Sequence, residues 1–121
     1  MGAATPKLRQ PTLSMPIRCA ILISGSGSGM EAMIQHQKAN PSCGHETVLV
    51  ISDQPGVMGL ERASSLDVDA RCIPLPQIED RSERRVQHEA MVHEALQSKG
   101  VELVLLSGYM RLLTPYLVSR W

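Results

Sequence analysis

Four short apolar runs divide the chain, and longer amphipathic segments separate them. The runs cover residues 19–23, 47–51, 70–74 and 103–106. Near-continuous runs of aliphatic and β-branched residues are typical of strands buried on both faces of a parallel sheet. We therefore predict four parallel strands. The third lies at an edge of the sheet, because Pro74 cannot continue a ladder of hydrogen bonds.

Helical periodicity fills the segments between these strands. A first helix begins at Met30, a short one covers residues 57–66, a long one covers residues 79–98, and Thr114-Pro115 begins the last as N-cap and first residue. Lys99-Gly100 ends the long helix. One apolar stripe of that helix packs on the sheet, and it contains His88, Met91, Val92, Ala95 and Leu96.

This alternation of strands and helices predicts an α/β fold, an open parallel sheet with helices on both faces. Right-handed crossovers bring the carboxyl ends of all strands to one edge, where ligands of such sheets bind. Four segments should meet there: residues 25–29, residues 52–56, the helix start near Arg84, and residues 107–113.

The segment 24–29, Ser-Gly-Ser-Gly-Ser-Gly, joins the first strand to the first helix. Glycines allow close approach of a ligand, and a helix start offers unpaired N–H groups, so the segment predicts a phosphate cradle. A plain turn with nothing bound is the alternative. A dinucleotide fingerprint is a weaker interpretation, because Met30 stands where close helix packing favours glycine or alanine, although Asp53 could hold a ribose.

Other candidate chemistry is sparse. His88 and His93 are five residues apart, which places them on different helix faces, whereas a zinc-binding H-E-x-x-H needs a spacing of four. We expect His88 in the apolar stripe and His93 in solvent, and we predict no metal site. No pair of nucleophile and base appears. Arg84 and Arg111 are ordinary surface arginines except for their position at the ligand edge.

Composition limits the remaining possibilities. With 121 residues the chain forms one domain, and its net charge of zero gives no general attraction to nucleic acid or to anionic membranes. Three cysteines without a C-x-x-C pair suggest a reducing, cytoplasmic setting. We predict a flexible tail over residues 1–16, with Met15 as an alternative start, and an incomplete α/β domain over residues 17–121.

Three motifs together resemble one enzyme family. Residues 21–28 (Ile-Leu-Ile-Ser-Gly-Ser-Gly-Ser), 59–63 (Gly-Leu-Glu-Arg-Ala) and 106–115 (Leu-Ser-Gly-Tyr-Met-Arg-Leu-Leu-Thr-Pro) are similar, in this order, to phosphoribosylglycinamide formyltransferases of purine biosynthesis. The resemblance covers essentially everything after Met15. It implies the amino-terminal half of a Rossmann-like formyltransferase, which transfers a formyl group from 10-formyltetrahydrofolate to the amine of glycinamide ribonucleotide.

The resemblance also implies site residues. Gly27, Ser28 and Gly29 would hold the substrate phosphate. The folate would lie against an arginine, best matched by Arg84 with Arg85 as the alternative, and against a stretch whose backbone reads the pterin ring. That stretch is Met110, Arg111, Leu112 and Leu113.

Two departures from the family pattern matter. The family usually has asparagine where this chain has Gly29, so a side-chain contact is lost. Its catalytic Asn-x-His-Pro motif and later Asp have no counterpart in these 121 residues, so the resemblance implies an inactive portion of the enzyme, with an open sheet edge that favours self-association. Alternatives are a hydrolase like formyltetrahydrofolate deformylase, which has no phosphate to hold, and a non-catalytic phosphate-binding module.

Overall fold

The computed structural model describes residues 8–121, so residues 1–7 of the predicted tail lie outside the described residues. Four parallel strands form one sheet in the order β3-β2-β1-β4. This confirms the predicted α/β fold and the edge position of the third strand. The strands are β1 (Ile17–Ile23), β2 (His45–Ser52), β3 (Asp69–Cys72) and β4 (Leu103–Leu106).

Four α-helices connect or follow these strands. The first and the last show which residues determine where a helix begins. The first helix begins at Ser28, two residues before the predicted start at Met30, because the left-handed Gly27 (φ 70°) ends the turn there. Thr114 caps the last helix as predicted, with its hydroxyl accepting the Tyr116 N–H at 3.2 Å. The helices are α1 (Ser28–Ala39), α2 (Met58–Ser65), α3 (Arg81–Ser98) and α4 (Pro115–Val118), and a short 3₁₀ helix spans Pro41–Cys43.

The helices cover both faces of the sheet, as predicted. On one face α1 and α2 bury Met30, Ile34 and Ala63 against alternate residues of β1 and β2. On the other face α3 and α4 bury Val92, Leu96 and Leu117 among others. β1 and the second half of β2 are buried on both faces, which explains their continuous apolar runs, whereas the edge strands β3 and β4 are only partly buried.

Two expectations for α3 were wrong. Met91 is 43% exposed, whereas Glu89, beyond the opposite edge of the predicted stripe, is buried, because α4 lies over the Glu89 side of the helix and supplies backbone donors for its carboxylate. His93 is half-buried, not in solvent. Its Nδ1 accepts the indole N–H of Trp121 at 3.0 Å, and its ring meets Tyr116 edge-on.

The segment before β1 lies against the body of the domain. Arg9 donates to Glu102 at 2.8 Å and to the carbonyl oxygens of Met15 and Pro16. Thr12 and Met15 close a tight turn through paired backbone hydrogen bonds. Among residues 8–121, every helix is too short or too polar to cross a lipid bilayer.

Candidate ligand-binding site

The start of α1 presents unpaired backbone donors. The Glu31 N–H, which bonds the Gly27 carbonyl at 2.8 Å, is the first amide in the helical ladder, and no side chain caps the helix. The N–H groups of residues 28–30 therefore have no acceptor within the helix. Ser28 and Gly29 are exposed at this end of α1. Both the free amides and the helix dipole favour an anion here.

Close backbone packing fixes this glycine loop, which we define as residues 24–29. The Gly59 N–H of α2 donates to the Gly25 carbonyl at 3.1 Å. A Cβ on Gly27 would lie 2.8 Å from the Gly59 Cα, and a Cβ on Gly59 would lie 2.8 Å from the Gly25 oxygen. Neither position has room for a side chain. The start of α2 therefore packs directly against the backbone of the glycine loop and fixes its conformation.

A second loop, residues 107–113, follows β4 and lies next to the glycine loop. The Met110 N–H donates to the Ser24 hydroxyl at 2.8 Å. Together the two loops enclose a cavity of about 290 Å³, lined by the whole glycine loop and by Ser107, Gly108 and Met110. The sequence predicted that these two segments meet at the carboxyl edge of the sheet, and the structure confirms it.

An ion pair anchors the second loop to the centre of the sheet. Arg111 Nε lies 2.8 Å from Asp53 Oδ2, and Asp53 follows β2 with only 3% of its surface exposed. Burial alone raises the pKa of this carboxyl. The Ser24 hydroxyl, the Arg111 guanidinium and the Gln54 amide outweigh that effect, so the pKa of Asp53 lies below its ordinary value.

Apolar side chains of the second loop are strongly exposed. Met110 and Leu112 are 81% and 82% exposed, which is unusual for residues of this size. A cavity of about 160 Å³ lies behind them, against α3, where Arg85 donates to the Leu112 carbonyl at 3.2 Å. Its lining consists of Leu75, Arg85, His88, Glu89 and the segment 109–113.

Arg84 lies in a neighbouring depression of about 560 Å³, which it shares with Arg111 and the segment 75–79. Its Nη1 donates to the Ile78 carbonyl at 3.3 Å, and its Nε is buried with no hydrogen-bond partner among the described residues. All four segments predicted to meet at the ligand edge therefore do so, with Arg111 standing between the two cavities next to α3.

Several contacts in the site could not be read from the sequence. Glu89 accepts hydrogen bonds from the Thr114 N–H and hydroxyl at 2.6 Å and from the Leu117 N–H at 3.0 Å, and so fixes the end of the second loop. Burial raises the pKa of Tyr109 in the second loop to about 12, so its phenol stays protonated. Asp53 was considered only as a ribose ligand, although its place after a buried strand at the ligand edge was a usable signal.

Within residues 8–121, no three His, Cys, Asp or Glu side chains come together as a group that could hold an ion. The serine and glycine groups at the cavity are instead suited to a phosphate or another anion.

Comparison with known families gives a match over most of the chain. The profile of the family described as formyl transferase matches residues 17–121. The trifunctional purine biosynthetic protein adenosine-3 of Chironomus tentans is 37% identical over 111 residues, which is 90% of this chain and 8% of that protein. The phosphoribosylglycinamide formyltransferase of Haemophilus influenzae is 27% identical, over 86% of this chain and 47% of that protein.

Solved structures agree with this match. Glycinamide ribonucleotide transformylase 1 from Symbiobacterium toebii superposes with a TM-score of 0.75 at 36% identity, covering 87% of this chain and 48% of that one. Phosphoribosylglycinamide formyltransferase from Brucella melitensis gives a TM-score of 0.76 at 31% identity, over 85% and 51%. The chain thus spans about half the length of these structures, and 8% to 10% of the trifunctional proteins.

Proposed function

Because the chain belongs to the formyl transferase family, whose profile covers residues 17–121, we propose that it forms the ligand-binding part of a phosphoribosylglycinamide formyltransferase. The substrates are glycinamide ribonucleotide and 10-formyltetrahydrofolate. The observation that carries this proposal is the meeting of the glycine loop and the second loop at one cavity. We place the protein in the cytosol, where its free cysteines stay reduced.

The glycine loop is proposed to bind the phosphate of the ribonucleotide. Gly27, Ser28 and Gly29 offer backbone N–H groups at the positive end of α1, and the Ser28 hydroxyl is exposed beside them. The fold already holds these groups in position to face an anion. Binding therefore requires little further ordering of the loop, and less conformational entropy is lost.

The second loop is proposed to bind the folate. Met110, Leu112 and Leu113 supply apolar surface for a flat heterocycle, and backbone groups of the same loop are available to its polar edge. Arg84 and Arg85 both border this region, and their guanidinium groups suit the carboxylates of a folate tail. Arg85 lines the same cavity as Leu112, whereas Arg84 lines the next one.

The reaction joins the substrate amine to the formyl carbon and breaks the bond from that carbon to the folate nitrogen. A proton must leave the amine, and the carbonyl oxygen carries negative charge on the way. The 121 residues contain a single asparagine, Asn40, and no Asn-x-His-Pro sequence. We therefore propose that this chain binds both ligands without turning them over.

Titration calorimetry with glycinamide ribonucleotide tests the phosphate site. We expect millimolar or tighter binding by the chain, and its loss in Gly27→Ala, whose Cβ would lie 2.8 Å from the Gly59 backbone. Gly100→Ala is the matched control, because Gly100 has a similar φ of 64° but lies at the far end of α3. Absence of binding by the unmodified chain, or equal loss in both variants, would count against the proposal.

Folate binding decides between the two arginines. We expect Arg85→Ala to weaken the affinity for a stable 10-formyltetrahydrofolate analogue by about tenfold, the usual effect of losing one charged contact, and Arg84→Ala to weaken it less. Fluorescence titration gives both constants. The reverse order would assign the folate contact to Arg84, and no effect of either variant would remove the arginines from the site.

A further inference from the structure

The carboxylate of Asp53 is placed where it can act on both ligand loops. It is 3% exposed and follows β2, which pairs with both β1 and β3. Its Oδ2 receives the Arg111 Nε of the second loop at 2.8 Å and the Gln54 amide at 3.3 Å. Its Oδ1 is buried with no hydrogen-bond partner among residues 8–121. A charge this deep is stable only while its few partners stay in place.

Hydrogen bonds connect this carboxylate to both loops, directly to the second loop and through it to the glycine loop. The side chain of Arg111, in the second loop, is 40% exposed, whereas that of Asp53 is 1% exposed, so Asp53 is the more firmly held member of the pair. Ser24 begins the glycine loop, and its hydroxyl accepts the Met110 N–H of the second loop at 2.8 Å. The hydrogen bonds therefore run from Asp53 through Arg111 into the second loop, and from Met110 of that loop to Ser24 of the glycine loop.

We propose that Asp53 is a positioning residue that couples the glycine loop to the second loop, so that order in one loop stabilises the other. It touches neither proposed ligand and acts through Arg111, which holds the second loop, whose Met110 N–H in turn binds Ser24 of the glycine loop. The identity of the two ligands rests on the proposed function, whereas the coupling itself rests on the contacts alone.

Hydrogen–deuterium exchange of the ligand-free chain tests the coupling directly. In Asp53→Asn, we expect amides of both loops to exchange about tenfold faster, as expected for loss of a charge-assisted hydrogen bond, while β1 and β2 stay protected. Arg111→Gln should give the same pattern. The double variant should be no faster than either single one, because all three remove the same contact.

Asp69→Asn is the matched control. Asp69 also pairs with an arginine, Arg71, at 3.0 Å, but it begins β3 at the opposite end of the strands and is exposed. Its replacement should leave exchange in both loops unchanged. Normal loop protection in Asp53→Asn, or faster exchange of the second loop alone, would overturn the proposal. Loss of protection throughout the sheet would do so too, since it would show a purely structural role.

Glycinamide ribonucleotide then provides a readout that a merely structural residue would not change. Bound at the glycine loop, it should slow exchange at residues 111–113 of the unmodified chain, which lie outside the lining of that cavity. In Asp53→Asn at saturating ligand, it should slow exchange in the glycine loop but not at residues 111–113. Equal slowing of the glycine loop and of residues 111–113 in the variant would contradict the coupling. Failure of the unmodified chain to bind the ribonucleotide would refute the proposed function and leave the ligand-free comparison to decide on Asp53.

Discussion

At the scale of single residues, Gly59 carries the tightest steric constraint of the candidate site. A Cβ at this position would meet the Ile23 side chain and would lie 2.8 Å from the Gly25 carbonyl oxygen. We expect Gly59→Ala to lower the free energy of unfolding by about 1–3 kcal/mol, the usual cost of overpacking. Urea denaturation measures this change. Gly25→Ala is the control, since its Cβ would have no neighbour within 4 Å; equal losses in both variants would show that the contact is unimportant.

Residue-level chemistry was only partly predictable from the sequence. The Ser and Gly residues of the glycine loop were identified from the sequence, because a turn followed at once by a helix is a local pattern. The steric constraint on Gly59 could not be predicted, because its partner Gly25 lies far away in the sequence and only the folded chain brings the two together. The pairing of Asp53 with Arg111 was missed for the same reason.

At the scale of secondary structure, α4 and the end of the second loop depend on a side chain from α3. Glu89 accepts hydrogen bonds from the Thr114 N–H, the Thr114 hydroxyl and the Leu117 N–H. In Glu89→Gln an NH₂ group replaces one of the two accepting oxygens. This group is itself a donor, and it would face the donors of Thr114 and Leu117. We expect a loss of about 1–3 kcal/mol in unfolding free energy, as for a buried unsatisfied group, and faster amide exchange in α4. Denaturant titration and exchange mass spectrometry measure the two effects.

Glu94→Gln controls for the general effect of removing a carboxylate from α3, because Glu94 is exposed on the same helix. Unchanged exchange of α4 in the Glu89 variant would show that the three hydrogen bonds do not hold the helix. The sequence predicted α3 and the Thr114 cap correctly. It placed Met91 in the buried stripe and gave no role to Glu89, because periodicity describes one helix and not the later helix that lies over it.

At the scale of the whole molecule, the two edges of the sheet differ. The β3 edge carries Asp69 and Arg71 as an ion pair, and such charges discourage strand pairing. The β4 edge contains only apolar side chains, with Leu106 52% exposed and the exposed Met110 close behind it in the chain. The parallel sheet and the meeting of the ligand loops at one edge were predicted from the alternation of strands and helices and from right-handed crossovers. Such a pattern does not show what covers an open edge of the sheet.

We therefore expect the 121-residue chain to self-associate through β4, whose outer hydrogen-bonding groups have no partner strand among the described residues. Leu106→Lys should restore the monomer, because a charge on an edge strand must be desolvated if a second strand pairs there. Met58→Lys, at an equally exposed residue (55%) of α2, should leave association unchanged. Sedimentation velocity over a wide range of concentrations distinguishes these outcomes. A constant mass of 13.2 kDa for the unmodified chain, or an equal effect of both lysines, would contradict pairing at this edge.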